Sequence, residues 1–281
     1  MSSSPKKRQI NTSGTNSCVI YNSNLAEYCT GTRIIPIHHT NTLVKTLYNS
    51  KAKERYDAEI AAARILAGID RKQEDFLYVI AGCEFDLTAA LQMKCKIQNE
   101  IKTEEKVYML EMQDGGESLE TADIEFTEEE AKKVVDTISD KLGKLHTHHI
   151  VHGDFHGGNV VIDKHKHIRF IDFAGLKQYT KEDFDSYNHK NIDLHRFSTI
   201  LDAIYQKTVE SPYKNALNKT AKDINRVKPG SINGILFKLH ENLEIEENKS
   251  PSPKHKKGRR TPNFSPPKFN LDQDPDPFAG S

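Results

Sequence analysis

No apolar run in this chain approaches the ~20 residues that a helix needs to cross a bilayer, and the mean hydropathy is -0.67. A membrane-spanning helix and a membrane partner are therefore not expected. Met1-Ser-Ser-Ser-Pro-Lys-Lys-Arg8 has no apolar stretch behind it, so a secretory leader is not expected either. Charge of one sign is not in excess: 40 Lys and Arg balance 40 Asp and Glu. That balance excludes wholesale coating of nucleic acid, and nucleic acid is not an expected partner. Cysteine is sparse, with Cys18, Cys29, Cys83 and Cys95 in no CxxC or CxxxC pair, which leaves a zinc ribbon unsupported. The expectation is four reduced thiols in an intracellular protein, in cytoplasm or nucleus. Two loosely spaced pairs (Cys18 with Cys29, Cys83 with Cys95) leave a disulfide or thiolate metal site open as the minority alternative. No internal repeat is visible.

What is present is unevenly distributed over the 281 residues, a length sufficient for one large domain or two small lobes around a cleft. Seven of the 11 prolines fall between positions 251 and 277, in a segment with few aliphatic residues. Such a segment cannot bury enough surface to offset its ordering entropy. The expected division is a basic, disordered stretch 1–9, a β-rich lobe 10–113, a helical lobe 114–245 and a disordered Pro/Ser/basic tail 246–281. Within the tail, Lys254 to Arg260 reads first as solvating charge, with nuclear import or phosphate seeking as alternatives.

In the first lobe, Ser17–Tyr21, Ile34–Ile37, Thr42–Leu47, Leu77–Ile80 and Lys106–Leu110 are rich in β-branched and aromatic residues and predict strands. The Ala-rich stretch Ala52 to Ala67, with Ile60, Ala63 and Ala67 on one stripe, predicts a helix. Thr127-Glu-Glu-Glu130 is a capping box, and Val134, Val135, Ile138, Leu142 and Leu145 follow the helical period behind it. Two short strands, Asn159–Ile162 and Ile168–Ile171, precede further helices from Ile192. The fold class is α+β.

The chemistry concentrates in Leu145-His-Thr-His-His-Ile-Val-His-Gly-Asp-Phe-His-Gly-Gly-Asn-Val-Val-Ile-Asp163 and Ile168-Arg-Phe-Ile-Asp-Phe-Ala174. Asp154 is followed five positions later by Asn159, and Asp172 comes thirteen positions beyond Asn159. Two oxygen ligands at neighbouring strand rims suit Mg²⁺, and a further carboxylate can accept a hydroxyl proton. Those are the parts that position a triphosphate and an attacking alcohol.

This segment resembles the catalytic loop and metal-binding segment of the protein-kinase-like superfamily. The resemblance implies a two-lobed fold, with a small β-rich N-lobe and a trimmed helical C-lobe. It implies ATP and Mg²⁺ as cofactors. Asp154 would be the catalytic base, Asn159 and Asp172 metal ligands, and His152 the support of the loop. Lys45, within Thr42-Leu-Val-Lys-Thr-Leu47, would contact the nucleotide phosphates, with Glu59 as its ion-pair partner and Glu54 and Asp57 as competitors. Gly14 is the one glycine left where the family places its phosphate-covering turn. Glu111 and Gln113 would offer backbone groups to adenine beside Leu110. The insertion between Asn22 and Ile37 resembles that of divergent kinase-like proteins of large DNA viruses, which would allow a host-cell or virion location.

Several positions depart from the common pattern. His-Arg-Asp is His152-Gly-Asp154, the residue two after the base is His156, and Asp-Phe-Gly is Asp172-Phe-Ala174. HGDxHxxN is similar to the aminoglycoside-phosphotransferase, lipopolysaccharide-kinase and atypical protein-kinase branches. Residues 175–190 are few and contain no Ala-Pro-Glu. Asp193 is the candidate acid propping the catalytic loop. The leading expectation is an ATP- and Mg²⁺-dependent serine/threonine protein kinase of atypical type, acting on protein hydroxyls and on its own C-terminal tail. A small-molecule or carbohydrate kinase and a pseudokinase scaffold are the alternatives.

Overall fold

The computed structural model describes residues 10–14, 17–35, 41–48, 50–86, 95, 106–186, 189–226 and 230–249. The β-branched and aromatic residues of the first part form β1 (Ile10–Gly14), β2 (Ser17–Tyr21), β3 (Thr32–Arg33), β4 (Thr42–Leu47), β5 (Ala81–Asp86) and β6 (Lys106–Gln113). They make one antiparallel sheet in the order β1-β2-β4-β6-β5-β3. All six residues of β4 are buried, Thr42, Lys45 and Thr46 as well as Leu43, Val44 and Leu47. Helix α1 (Ala52–Leu66) packs on this sheet through Ala62, Ala63 and Leu66. Glu54 in its first turn and Arg64 in its last suit the helix dipole.

Two expected strands are not strands. In place of Ile34–Ile37 the pairing residues are Thr32 and Arg33, Ile34 and Ile35 form a bend, and 36 and 37 lie outside the described residues. Leu77–Ile80 is buried but irregular, because its backbone is shared between both halves. The Leu77 N–H donates to Phe170 at 2.8 Å, and the Ile80 N–H donates to Glu111 at 2.9 Å. This crossing is fixed from the helical side by Asp75, whose carboxylate is paired with both Lys141 and Lys144.

The second part contains β7 (Glu117–Ser118), α2 (Glu128–Thr147), β8 (Ile150–Val151), β9 (Val160–Ile162), β10 (Ile168–Phe170) and β11 (Lys177–Gln178). Four helices follow: α3 (Lys181–Ser186), α4 (Asn191–Lys207), α5 (Pro212–Arg226) and α6 (Ile232–Lys249). The Thr127–Glu130 capping box forms, and Val134, Val135, Ile138, Leu142 and Leu145 are buried along α2. The last three helices stack in sequence order. Helix α6 passes the expected tail boundary at 246 and ends at Lys249, where Lys249 pairs with Glu246. Residues 250–281 and 1–9 lie outside the described residues, with the basic run 254–260 among them. The fold is thus α+β, a β-sheet region followed by a helical part. No helix among the described residues is long and apolar enough to cross a membrane.

The reduced-thiol expectation is overturned: Cys18 is bonded to Cys95 and Cys29 to Cys83, leaving no free cysteine. The partners are not the sequence neighbours. Cys18 on β2 and Cys83 on β5 lie in one small apolar cluster with Ile20, Leu25, Val44, Val107 and Met109. The cross-links therefore tie the 22–37 insertion and residue 95 to opposite regions of the sheet.

Candidate active site

Lys45 sits mid-strand, opposite Val19 on one side and Leu110 on the other. Its Nζ donates to Glu59 Oε1 and to Asp172 Oδ1, both at 3.1 Å. Glu59 is 2% exposed. Of the three acids considered for Lys45, Glu59 is the one that reaches it; Asp57 pairs with Lys53 at the surface. Arg55 Nη2 approaches Asp172 Oδ2 at 3.8 Å. Burial alone would lower the Lys45 pKa, but the two carboxylates outweigh it and raise it. One ammonium is shared by two acids, and their environments separate them. Burial pushes Glu59 up to about 7 despite Lys45. Asp172 is held below its usual range, because the charge of Lys45 overcomes burial and Arg55 adds to it.

Asp172 adopts φ +60° at the end of β10, a left-handed conformation that aspartate tolerates better than bulky residues. A short 3₁₀ turn, Phe173–Gly175, carries the chain onward. The preceding loop, 152–159, is held from beneath. The Asp193 carboxylate, fully buried on α4, accepts the backbone N–H of His152 at 2.9 Å and of Gly153 at 3.0 Å, and contacts His146 Nε2 at 3.1 Å. The buried His152 ring lies 4.8 Å from Phe173 and near Phe155 and Phe170. Its Nε2 is 3.1 Å from the Ile171 carbonyl. Burial lowers the pKa of His152, which fits a neutral imidazole donating that bond.

The loop presents Asp154, whose backbone carbonyl accepts the Asn159 amide at 2.8 Å; Asn159 Nδ2 also lies 3.5 Å from Asp154 Oδ2. Asn159 precedes β9 and Asp172 follows β10, and these strands pair antiparallel, so both reach the same rim. A cleft of about 780 Å³ opens there, lined by Lys45, Asp154, His156, Asn159 and Asp172 together with Val19, Leu43, Met112 and Gln113. Val19, Leu43 and Met112 give it apolar lining beside the charged groups.

The two remaining expected nucleotide contacts are Glu111 and Gly14. Glu111 does not line the cleft. Its carbonyl accepts the Ile80 N–H and its carboxylate accepts the Leu25 N–H at 3.0 Å, so it secures the insertion to the sheet. Gly14 ends β1 opposite Ser17; Ser17 lines the cleft, and the turn residues 15 and 16 lie outside the described residues. Sequence reasoning missed Arg196, whose guanidinium pairs with Asp154 Oδ1, and Glu120, 3.3 Å from His156 Nδ1. A signal for Arg196 existed: it lies three positions after Asp193 in one helix, so both share a face.

Among the described residues, no cluster of three or more His, Cys, Asp or Glu is built to hold a metal alone. Asp172 and Asn159 offer one carboxylate and one amide oxygen, a set that suits a cation arriving with a phosphate ligand.

A β-sheet lobe bearing a lysine–glutamate pair, above a helical part bearing paired loop carboxylates, defines a kinase-type architecture. The protein kinase domain matches residues 44–194, and the chain belongs to that family. It is similar to the dual specificity protein kinase zakA of Dictyostelium discoideum, 32% identical over 62 residues, which is 22% of this chain and 8% of that protein. It is also similar to the KEOPS complex subunit Bud32 of Pyrococcus abyssi, 29% identical over 118 residues, 42% of this chain and 50% of that protein. The chain thus spans half or less of the relatives it matches.

Proposed function

We propose that this protein is an ATP- and Mg²⁺-dependent phosphotransferase of atypical type that acts on serine or threonine hydroxyls. The observation that carries the reading is the convergence of Lys45, Asp154, Asn159 and Asp172 on one cleft, with Lys45 already paired to Glu59 and Asp172. The cleft fits a nucleotide in size, apolar side and charge. Asn159 and Asp172 would hold Mg²⁺, Lys45 would hold phosphate oxygens, and Gln113, which lines the cleft, would offer a backbone group to the base. Bound ATP and Mg²⁺ supply the phosphoryl group and the neutralisation of its charge. Asp154 accepts the proton of the attacking hydroxyl, and Asn159 fixes the Asp154 backbone. Phosphoryl transfer asks for placement and charge compensation, and these side chains provide both.

The acceptors proposed are protein hydroxyls, including Ser250, Ser252, Thr261 and Ser265, each followed by proline in the chain's own tail. An intracellular site of action is proposed only where both disulfides survive, since such bridges persist in oxidising surroundings. A second reading, transfer to a small alcohol or sugar, draws support from the few residues between Asp172 and α4, which leave little surface for docking a peptide.

Labelled ATP supplied with casein, with sugars and aminoglycosides, or with the chain alone separates these readings. The expected result is label on casein and on the tail, reduced roughly 10²–10⁴-fold in Asp154→Ala. Label on sugars alone would favour the second reading, and equal transfer by wild type and Asp154→Ala would overturn both.

A further inference from the structure

Neither loop position beside Asp154, Gly153 before it or His156 after it, supplies a permanent cation. Position 153 cannot carry an arginine. Gly153 has φ +81°, and a Cβ there would stand 2.2 Å from the Gly175 carbonyl oxygen, so the loop and the turn after Asp172 are packed backbone to backbone. Position 156, two after the base, is histidine. The Gly158 N–H lies 3.1 Å from its Nδ1, which is also 3.3 Å from Glu120 Oε1, so the ring faces an acid on that side and is no permanent cation. His156 Nε2 is 3.8 Å from Asp154 Oδ2, close enough to crowd the carboxylate but without fixed charge.

Fixed charge comes instead from a distant helix. Arg196 on α4 pairs with Asp154 Oδ1, and among the described residues it is the one permanent cation at ion-pair distance from Asp154. Its helix is anchored directly beneath the loop by Asp193, which binds the N–H groups of His152 and Gly153. The arginine and the backbone it serves therefore belong to one rigid unit. Asp154 Oδ2, on the Asn159 side, stays available to a hydroxyl.

We propose that Arg196 is the positioning residue of this site: its guanidinium fixes the Asp154 carboxylate in one orientation toward the cleft, a task that Gly153 and His156 leave undone. The inference rests on the phosphotransferase reading above and deepens it. A half-exposed pair of this kind adds little to stability, since Arg196 is 43% and Asp154 48% exposed at the side chain. Its effect belongs to turnover.

Four proteins test it: wild type, Arg196→Ala, Arg196→Lys and Asp154→Asn. Transfer from labelled ATP to casein and to the chain itself is measured beside Mg²⁺–ATP affinity by titration. In parallel, carbodiimide labelling of Asp154 is followed by peptide mass mapping, which reads the carboxylate without requiring turnover. Arg196→Ala is expected to lower kcat roughly 10–100-fold, as misplacement of a reacting group does, with nucleotide affinity within about twofold of wild type. Asp154 labelling should rise severalfold in Arg196→Ala. Arg196→Lys should restore part of both, as a point charge without the planar fork. An active wild type with unchanged kcat and labelling in Arg196→Ala overturns the inference alone. A wild type transferring no more phosphate than Asp154→Asn overturns the phosphotransferase reading and the inference with it.

Discussion

The two halves of the site are held together by different means. The catalytic loop rests on an uncharged aromatic bed of His152, Phe155, Phe170 and Phe173, with one buried acid, Asp193, collecting its N–H groups. The sheet lobe carries a single ammonium between two acids and is stapled by two disulfides. The loop is thus defined by the aromatic packing of residues 152–173 together with one acid 40 positions beyond Gly153. The sheet lobe is defined by cross-links between segments 54 and 77 residues apart. That difference teaches where this chain is conventional for its family and where it has its own solution.

Removing the acid beneath the loop should break the comparison most severely. Asp193→Ala leaves two buried N–H donors and His146 without their acceptor, and should cost about 3–5 kcal/mol in a denaturant titration. Transfer activity should fall in the folded fraction as well, because the backbone of Asp154 loses its support. A loss of less than 1 kcal/mol would show that the aromatic bed alone holds the loop.

The corresponding break in the sheet lobe is chemical reduction. Opening the Cys18–Cys95 and Cys29–Cys83 bridges, or replacing either pair by serine, should destabilise the protein by about 2–4 kcal/mol per bridge. Calorimetry with and without reductant should show the sheet lobe unfolding first, and thiol titration of the untreated protein should find no free cysteine. Four titratable thiols in a protein of undiminished stability would contradict the cross-linked lobe.

The smallest effect is a pH dependence that sharpens the electrostatic contrast. Glu59 is raised from 4.5 to about 7 in the fold, so the folded state binds the extra proton. Its stabilising contribution is present below about pH 4.5 and is lost as pH rises through about 7. Glu59→Gln should flatten that component, about 2–3 kcal/mol between pH 5 and 8, when its stability curve is subtracted from that of wild type. Identical curves would mean that Glu59 keeps its charge throughout.

How much of this was legible in the sequence follows from the same contrast. Asp154, Asn159 and Asp172 lie in one short register whose intervening strands β9 and β10 pair directly, so spacing alone brought them to one rim. Lys45 and Glu59 were legible because a strand and the next helix fix them fourteen positions apart. The helical period along α2 marked its buried face. Leu77–Ile80 was misread as a strand, since burial without sheet pairing leaves the same apolar signature. The contact of the Glu111 carboxylate with the Leu25 N–H was not legible, because it depends on how the insertion folds back on the sheet. The disulfide pairing needed the strand order β1-β2-β4-β6-β5-β3, which spacing does not encode. Arg196 stayed hidden because it lies 42 positions from the carboxylate it holds.

The most direct test of the central claim, that these side chains gather around one nucleotide–magnesium complex, is calorimetric titration of ATP into wild type and Asp172→Asn, each with and without Mg²⁺. The prediction is that Mg²⁺ strengthens ATP binding to wild type and that this enhancement is largely lost in Asp172→Asn. ATP affinity indifferent to Mg²⁺ in the wild type, or an enhancement preserved in the variant, would contradict it.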